Sequence, residues 1–102
     1  MKRGEIWWVE DPAAGRRPHL ILTRSAAIGV LTQILAVPAT TTIRDIPTEV
    51  PLGKADGMPR DCVLSLDNIH LVRRAHFVER ITELGSDRLG SVCEALGIAT
   101  DC

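Results

Sequence analysis

The feature that most constrains this chain is the rhythm of its apolar residues. Up to Leu84 they come in short, strand-length runs broken by proline, glycine or aspartate, and beyond it the period lengthens. The runs are GEIWWVE, HLILT, LTQILAVPATTT, TEVPL and CVLSLDNIHLV. In the first, Ile6 and Trp8 fall on one face and Trp7 and Val9 on the other, as in a strand buried against more than one element. Asp11, Pro12 and Gly15 open a turn that delivers Arg16, Arg17 and Pro18 to the start of the second strand. Pro18 has no N–H for a ladder and is placed at that strand's edge or entrance. Pro38 is expected to mark the exposed end of the third strand or a local bulge, and TEVPL to pair at an edge. Gly53 to Asp61 is a polar turn region, and FVERI fits either a further strand or the start of a helix.

Near the C-terminus the period becomes about 3.6. Leu89, Val92, Cys93 and Leu96 share one side of a predicted helix, with Ser86 as its N-cap, Asp87 at the positive end of its dipole and Gly97 as its terminator. Gly90 weakens such a helix in isolation, so packing on the sheet must supply its stability. Its face is poor in Arg and Lys, which fits a lid on the core and not a nucleic-acid-reading helix.

The pattern predicts a mainly β, barrel-like core with a C-terminal α-helix, in one domain spanning residues 1–102. At 11.1 kDa, with 45% apolar and 25% charged residues, there is room for one core. A monomer of this mass is expected to expose about 5,700 Å², a modest burial margin that favours oligomerisation. No apolar run approaches the roughly 20 residues of a membrane span, and MKRGEIWWVEDP lacks the apolar segment of a signal peptide, so a cytoplasmic protein without membrane partners is expected. Cys62, Cys93 and Cys102 are odd in number and lack metal-ligand spacing, so neither a structural disulfide nor a metal or other cofactor is expected.

The net charge of −1 hides an asymmetry. Residues 1–44 carry six basic and three acidic side chains, net +3; residues 45–102 carry six basic and ten acidic, net −4. A nucleic acid would therefore be held by a focused arginine site and not by a broadly basic surface. The most informative arrangement is GRRP at Gly15–Pro18, followed by an apolar strand and VPATT at Val37–Thr41. A glycine permits a close turn, arginine forks attract phosphate, and threonines add hydroxyl donors. Taken alone, the same residues equally fit a solvated arginine pair and ordinary strand-end threonines.

The whole ordering resembles the MazF/PemK family of bacterial toxin endoribonucleases. The matching segments are KRGEIWWVE, GRRPHLILT, ILAVPATT and VLSLDNIHLV, and the likeness continues through FVERITELGSDRLGSVCEALG. The resemblance implies a small SH3-like barrel with a C-terminal helix, a homodimer, sequence-selective and metal-independent cleavage of single-stranded RNA, and inhibition by a cognate antitoxin. It maps the catalytic arginine onto Arg17 and the hydroxyl residue onto Thr40, with Thr41 close enough to exchange the assignment. In such a reaction the RNA's own 2'-hydroxyl attacks the phosphate, and an arginine fork with a hydroxyl donor stabilises the crowded, negatively charged phosphorane.

Other positions have two readings. Arg16 is a phosphate-positioning or a solvent-facing residue. His19, two residues beyond Arg17 on the same strand face, is a proton-transfer group, an RNA contact or a plain strand residue. Asn68 and His70 stand where the family commonly has Gln and Arg; an RNA-contacting and a structural role are open for both, and for His76. Trp7 and Trp8 fit core or dimer packing better than base stacking. Lys2, Arg3, Arg73 and Arg74 fit ordinary solvated surface or electrostatic guidance of RNA. DPAAGRRP is shorter than the loop many relatives carry there, which opens the groove or removes a base contact. The alternative function is a non-enzymatic, protein-binding toxin of the same fold that targets DNA gyrase, with GRRP and PATT organising a surface and no reaction centre.

Overall fold

The computed structural model describes all 102 residues. Seven antiparallel strands run in the order β1 (Glu5–Asp11), β2 (Gly15–Ile21), β3 (Gln33–Thr40), β4 (Glu49–Leu52), β5 (Cys62–Ser65), β6 (His70–Arg73) and β7 (Phe77–Glu83). A four-residue helix, α1 (Ser25–Ile28), follows β2, and the long helix α2 (Ser86–Thr100) ends the chain. The sheet is curled but not closed: its order is β4-β5-β3-β2-β1-β7, with β6 also on β3. The exposed area is 5907 Å², close to the value expected from mass. No helix is long and apolar enough to cross a membrane.

Period-two alternation divides the apolar residues between two clusters. Leu20 and Val37 join the larger one, with Ile6, Leu64 and Val92; their chain neighbours Ile21 and Ala36 join the smaller, with Val9, Ile34 and Phe77. Each full burial of such a side chain stabilises the fold by about 1.5–3 kcal/mol. β1 therefore feeds both faces, as its sequence predicts, although Trp7 and Trp8 are only half-buried.

Several local expectations are corrected. Gly15, at φ +85°, already begins β2, so Arg16, Arg17 and Pro18 lie inside the strand and not before it. Pro18 is tolerated because β2 pairs with β3 only from His19 onward. Pro38 is neither exposed nor terminal: it is buried where β3 changes partners, from β6 (Gln33–Ala36) and β2 (Ala36–Pro38) to β5 (Ala39–Thr40). CVLSLDNIHLV is broken by a turn of 3₁₀ helix at Leu66–Asn68, and FVERI is a strand. In α2 the N-cap position is Gly85, with no side-chain cap from Ser86, and Gly97 lies within the helix, which ends at Asp101 in the left-handed region. The buried face is Val92 and Ala95, flanked by Leu89, Leu96 and Ala99, while Cys93 is exposed.

Candidate functional site

The site forms where β2 and β3 part. A tight hairpin presents β2: Asp11 Oδ1 accepts the Ala13 N–H at 2.8 Å and the Asp11 carbonyl accepts the Ala14 N–H at 3.2 Å. From there strand alternation sends the two arginines in opposite directions. Arg16 is engaged, 3.1 Å from Glu10, 3.9 Å from Glu79 and with its guanidinium 4.7 Å from the centre of the Trp8 ring. Arg17 is exposed and has no acidic partner in the chain. A free guanidinium beside concave surface is the expected form of an anion site.

Arg17 borders three concavities. The smallest, 170 Å³, also takes Thr40, Thr42, Arg44, Ser65 and Asn68 in its wall. A second, 250 Å³, brings Arg17 together with Arg16, Thr40, Thr41, Arg60 and Met58. The largest, 540 Å³, has Arg17, His19, Asn68, His70, Arg73 and His76 in its wall. The structure thus gathers Arg16, His19, Thr40, Thr41, Asn68 and His70 around Arg17. Thr40 borders both smaller concavities and Thr41 only one. The Thr42 N–H donates to Thr40 Oγ1 at 3.1 Å, which leaves the Thr40 hydroxyl hydrogen free to donate outward.

His19 is buried, and its Nδ1–H donates to the Arg17 carbonyl at 3.1 Å. Burial pushes its pKa down to about 4; the Arg17 carbonyl partly opposes this, and the positive charges of His70 and Arg17 add to it. The ring is therefore neutral near pH 7, with its acceptor nitrogen at Nε2. His70 stands edge-on to it, ring centres 5.2 Å apart, with its own Nδ1 held 2.9 Å from the Asn68 carbonyl. Asn68 has a structural role, since Nδ2 donates to Ser65 Oγ at 2.7 Å, and it also borders two of the concavities.

Sequence reasoning missed Arg44, Thr42 and Arg60. Arg44 lies in a loop without periodicity, fixed by the buried Glu49, whose Oε1 accepts the N–H groups of Arg44 and Asp45 at 3.0 Å each. Lys2 and Arg3 lie elsewhere, Lys2 3.4 Å from Glu83 and Arg3 against Cys93, and Arg74 donates to the Ile28 carbonyl.

Known proteins share this sequence and fold. The family described as PemK-like, MazF-like toxin of type II toxin-antitoxin system matches residues 2–100. Among curated proteins, the probable endoribonuclease MazF5 of Mycobacterium tuberculosis is 43% identical over 98% of this chain and 93% of its own length. The probable endoribonuclease MazF2 of the same organism is 38% identical over 100% of both. Among solved structures, the M. tuberculosis toxin MazF-mt6 superposes with a TM-score of 0.88 at 32% identity, covering 95% of this chain and 96% of that one. An endoribonuclease in complex with its cognate antitoxin, from a mycobacterial species, superposes at 0.89 with 27% identity, over 99% and 95%. With nearly the whole sequence matched and the same fold beneath it, this chain belongs to the PemK-like, MazF-like toxins of type II toxin-antitoxin systems.

Proposed function

We propose that this MazF-type endoribonuclease cuts single-stranded RNA at selected sites, by in-line attack of the RNA's own 2'-hydroxyl on the adjacent phosphate. The products of that step are a 2',3'-cyclic phosphate and a 5'-hydroxyl. The observation that carries the reading is the unpaired Arg17 guanidinium sharing a polar concavity with the Thr40 hydroxyl. As the phosphorane gains charge, Arg17 donates two N–H bonds to it and Thr40 a third, in a recess with a further guanidinium, Arg44, in its wall. Those donors meet the charge that a metal would otherwise meet, so the reading requires none. RNA must be unstacked to align the attacking oxygen, which favours single strands.

Arg17 is the catalytic residue of this account and Thr40 its hydroxyl partner; Thr41 borders the neighbouring concavity and Arg16 positions RNA only through the Trp8 edge. His19, with its pKa near 4, is too weak a base to take the 2'-hydroxyl proton efficiently, so we assign it to binding. The toxin works as a cytoplasmic homodimer, and its cognate antitoxin lays an acidic segment with apolar anchors across Arg17, as charge complementarity favours. The endoribonuclease names of its relatives leave the gyrase-binding alternative without support. Single-turnover cleavage of a short labelled RNA by Arg17→Ala tests the assignment: a loss of roughly two orders of magnitude is expected from removing one such donor. An unchanged rate removes Arg17 from the chemistry.

A further inference from the structure

The 540 Å³ concavity on the His19 side of Arg17 lies within the size range of ligand pockets, and its wall has an unusual polarity. Three groups in it already have a donor engaged inside the protein. His19 Nδ1–H is bound to the Arg17 carbonyl, His70 Nδ1–H to the Asn68 carbonyl, and Asn68 Nδ2 to Ser65 Oγ. Acceptors are left facing the concavity: Nε2 of the neutral His19 ring and Asn68 Oδ1, with the His70 ring beside them. None of them has a partner in the protein, and His19 Nε2 is not sealed from solvent. The two rings stand edge-to-face at 79° with centres 5.2 Å apart, each with its Nδ1 anchored to a backbone carbonyl. Arg73 and Gln33, also in the wall, are the opposing donors.

We propose that this concavity reads one nucleobase beside the cleaved phosphate, and that its acceptor wall selects guanine. Guanine is the one standard base whose Watson–Crick edge carries two adjacent kinds of N–H donor, the ring N1–H and the exocyclic amine, next to an acceptor, O6. His19 Nε2 and Asn68 Oδ1 accept from the donors, the His70 ring flanks them, and Arg73 or Gln33 donates to O6. Uracil offers one N–H, and adenine and cytosine place a ring acceptor where guanine has N1–H, against an acceptor wall. Burial of His19 serves this purpose, because a ring that stays neutral keeps its Nε2 an acceptor across the neutral range. The inference rests on the reading of the chain as an RNA-cleaving enzyme, and goes beyond it by naming what the enzyme reads.

The test separates recognition from chemistry. Short single-stranded RNAs are randomised on both sides of the cut site, and the preferred base at each flanking position is read from the cleaved fraction. Binding is then measured, by fluorescence anisotropy, with oligonucleotides made uncleavable by a 2'-deoxy sugar at that site. These carry guanine, inosine (which lacks the exocyclic amine) or adenine at the preferred position or, if no cleavage occurs, at each position in turn. A guanine preference is expected, with inosine binding roughly tenfold more weakly for the lost donor and the acceptor it leaves unpaired. In His70→Phe, whose ring is exposed and does not support the core, the guanine-to-inosine ratio should fall toward one; Asn68→Ala gives a second, independent reading. Equal binding of the three bases, or a guanine preference that survives both substitutions, overturns the proposal. Base-indifferent but Arg17-dependent cleavage leaves the endoribonuclease reading standing, whereas guanine-selective binding without any cleavage supports the pocket and contradicts the chemistry.

Discussion

Arg17 and Thr40 line the same recess at the point where β2 and β3 separate. The ladder's last pair sets His19 opposite Pro38, and continuing that register two residues further brings Arg17 level with Thr40. Both border the same 170 Å³ recess, from which Thr41 is absent. Of the two neighbouring threonines, the smaller recess holds only Thr40, whereas Thr41 borders the 250 Å³ concavity.

Hydroxyl removal reports that register. Thr40→Val is expected to slow the cleavage step by about tenfold, the share of one neutral donor, while Thr41→Val leaves it within about a factor of two. Single-turnover rates on pre-bound RNA make the comparison. A larger defect in Thr41→Val reverses the assignment.

His19 should make stability depend on pH. The unfolded chain takes up this proton near pH 6.5 and the folded chain only at about pH 4, so the unfolded state binds more protons between those values. Stability is undiminished above the upper value and falls as pH drops through the window, by up to roughly 3 kcal/mol for a shift of this size. Urea denaturation of the native chain and of His19→Gln near neutrality and at the foot of the window isolates the effect from carboxylates. Equal losses in the two proteins show that His19 does not titrate in this way.

Much of this was legible in the residues, and the failures have physical causes. The apolar run in GEIWWVE marked β1 as a strand buried on both faces, with Ile6 on one and Val9 on the other. Pro38 misled, because a proline that normally signals an exposed end is equally suited to the position where a strand exchanges partners. Gly97 was a plausible terminator, but contacts carry the helix onward, and Asp101 takes the left-handed cap that glycine usually fills. In the site, GRRP exposed two arginines without distinguishing them. The distinction comes from cross-strand neighbours, Glu10 and Trp8 for Arg16 and no acid for Arg17. Arg44 carried no local signal, since a carboxylate several residues downstream holds its loop.

That carboxylate is a further test. Glu49 Oε1 satisfies two backbone N–H groups, one of them of Asp45, which lies at φ +55°. Glu49→Ala leaves both unsatisfied and is expected to destabilise the chain by about 2–3 kcal/mol. Glu49→Gln keeps the accepting oxygen and should recover most of that loss. Denaturation midpoints compare the two; identical midpoints argue that the loop is held by other contacts.

Association is expected from the small core and from exposed Leu71, Val78 and Val30. Sedimentation at low micromolar concentration should show a particle of twice 11.1 kDa, since closed twofold dimers are the commonest homo-oligomers. An active species of 11.1 kDa alone excludes an RNA groove shared between subunits.

The most direct measurement of the central claim is incubation of the purified protein with a labelled single-stranded RNA in excess chelator, alongside Arg17→Ala. Cleavage by the native chain to 2',3'-cyclic phosphate and 5'-hydroxyl ends, reduced roughly a hundredfold in the variant, is the predicted result. Intact RNA that is cut only when a divalent metal is restored, or equal cleavage by the two proteins, contradicts an arginine-centred, metal-free mechanism.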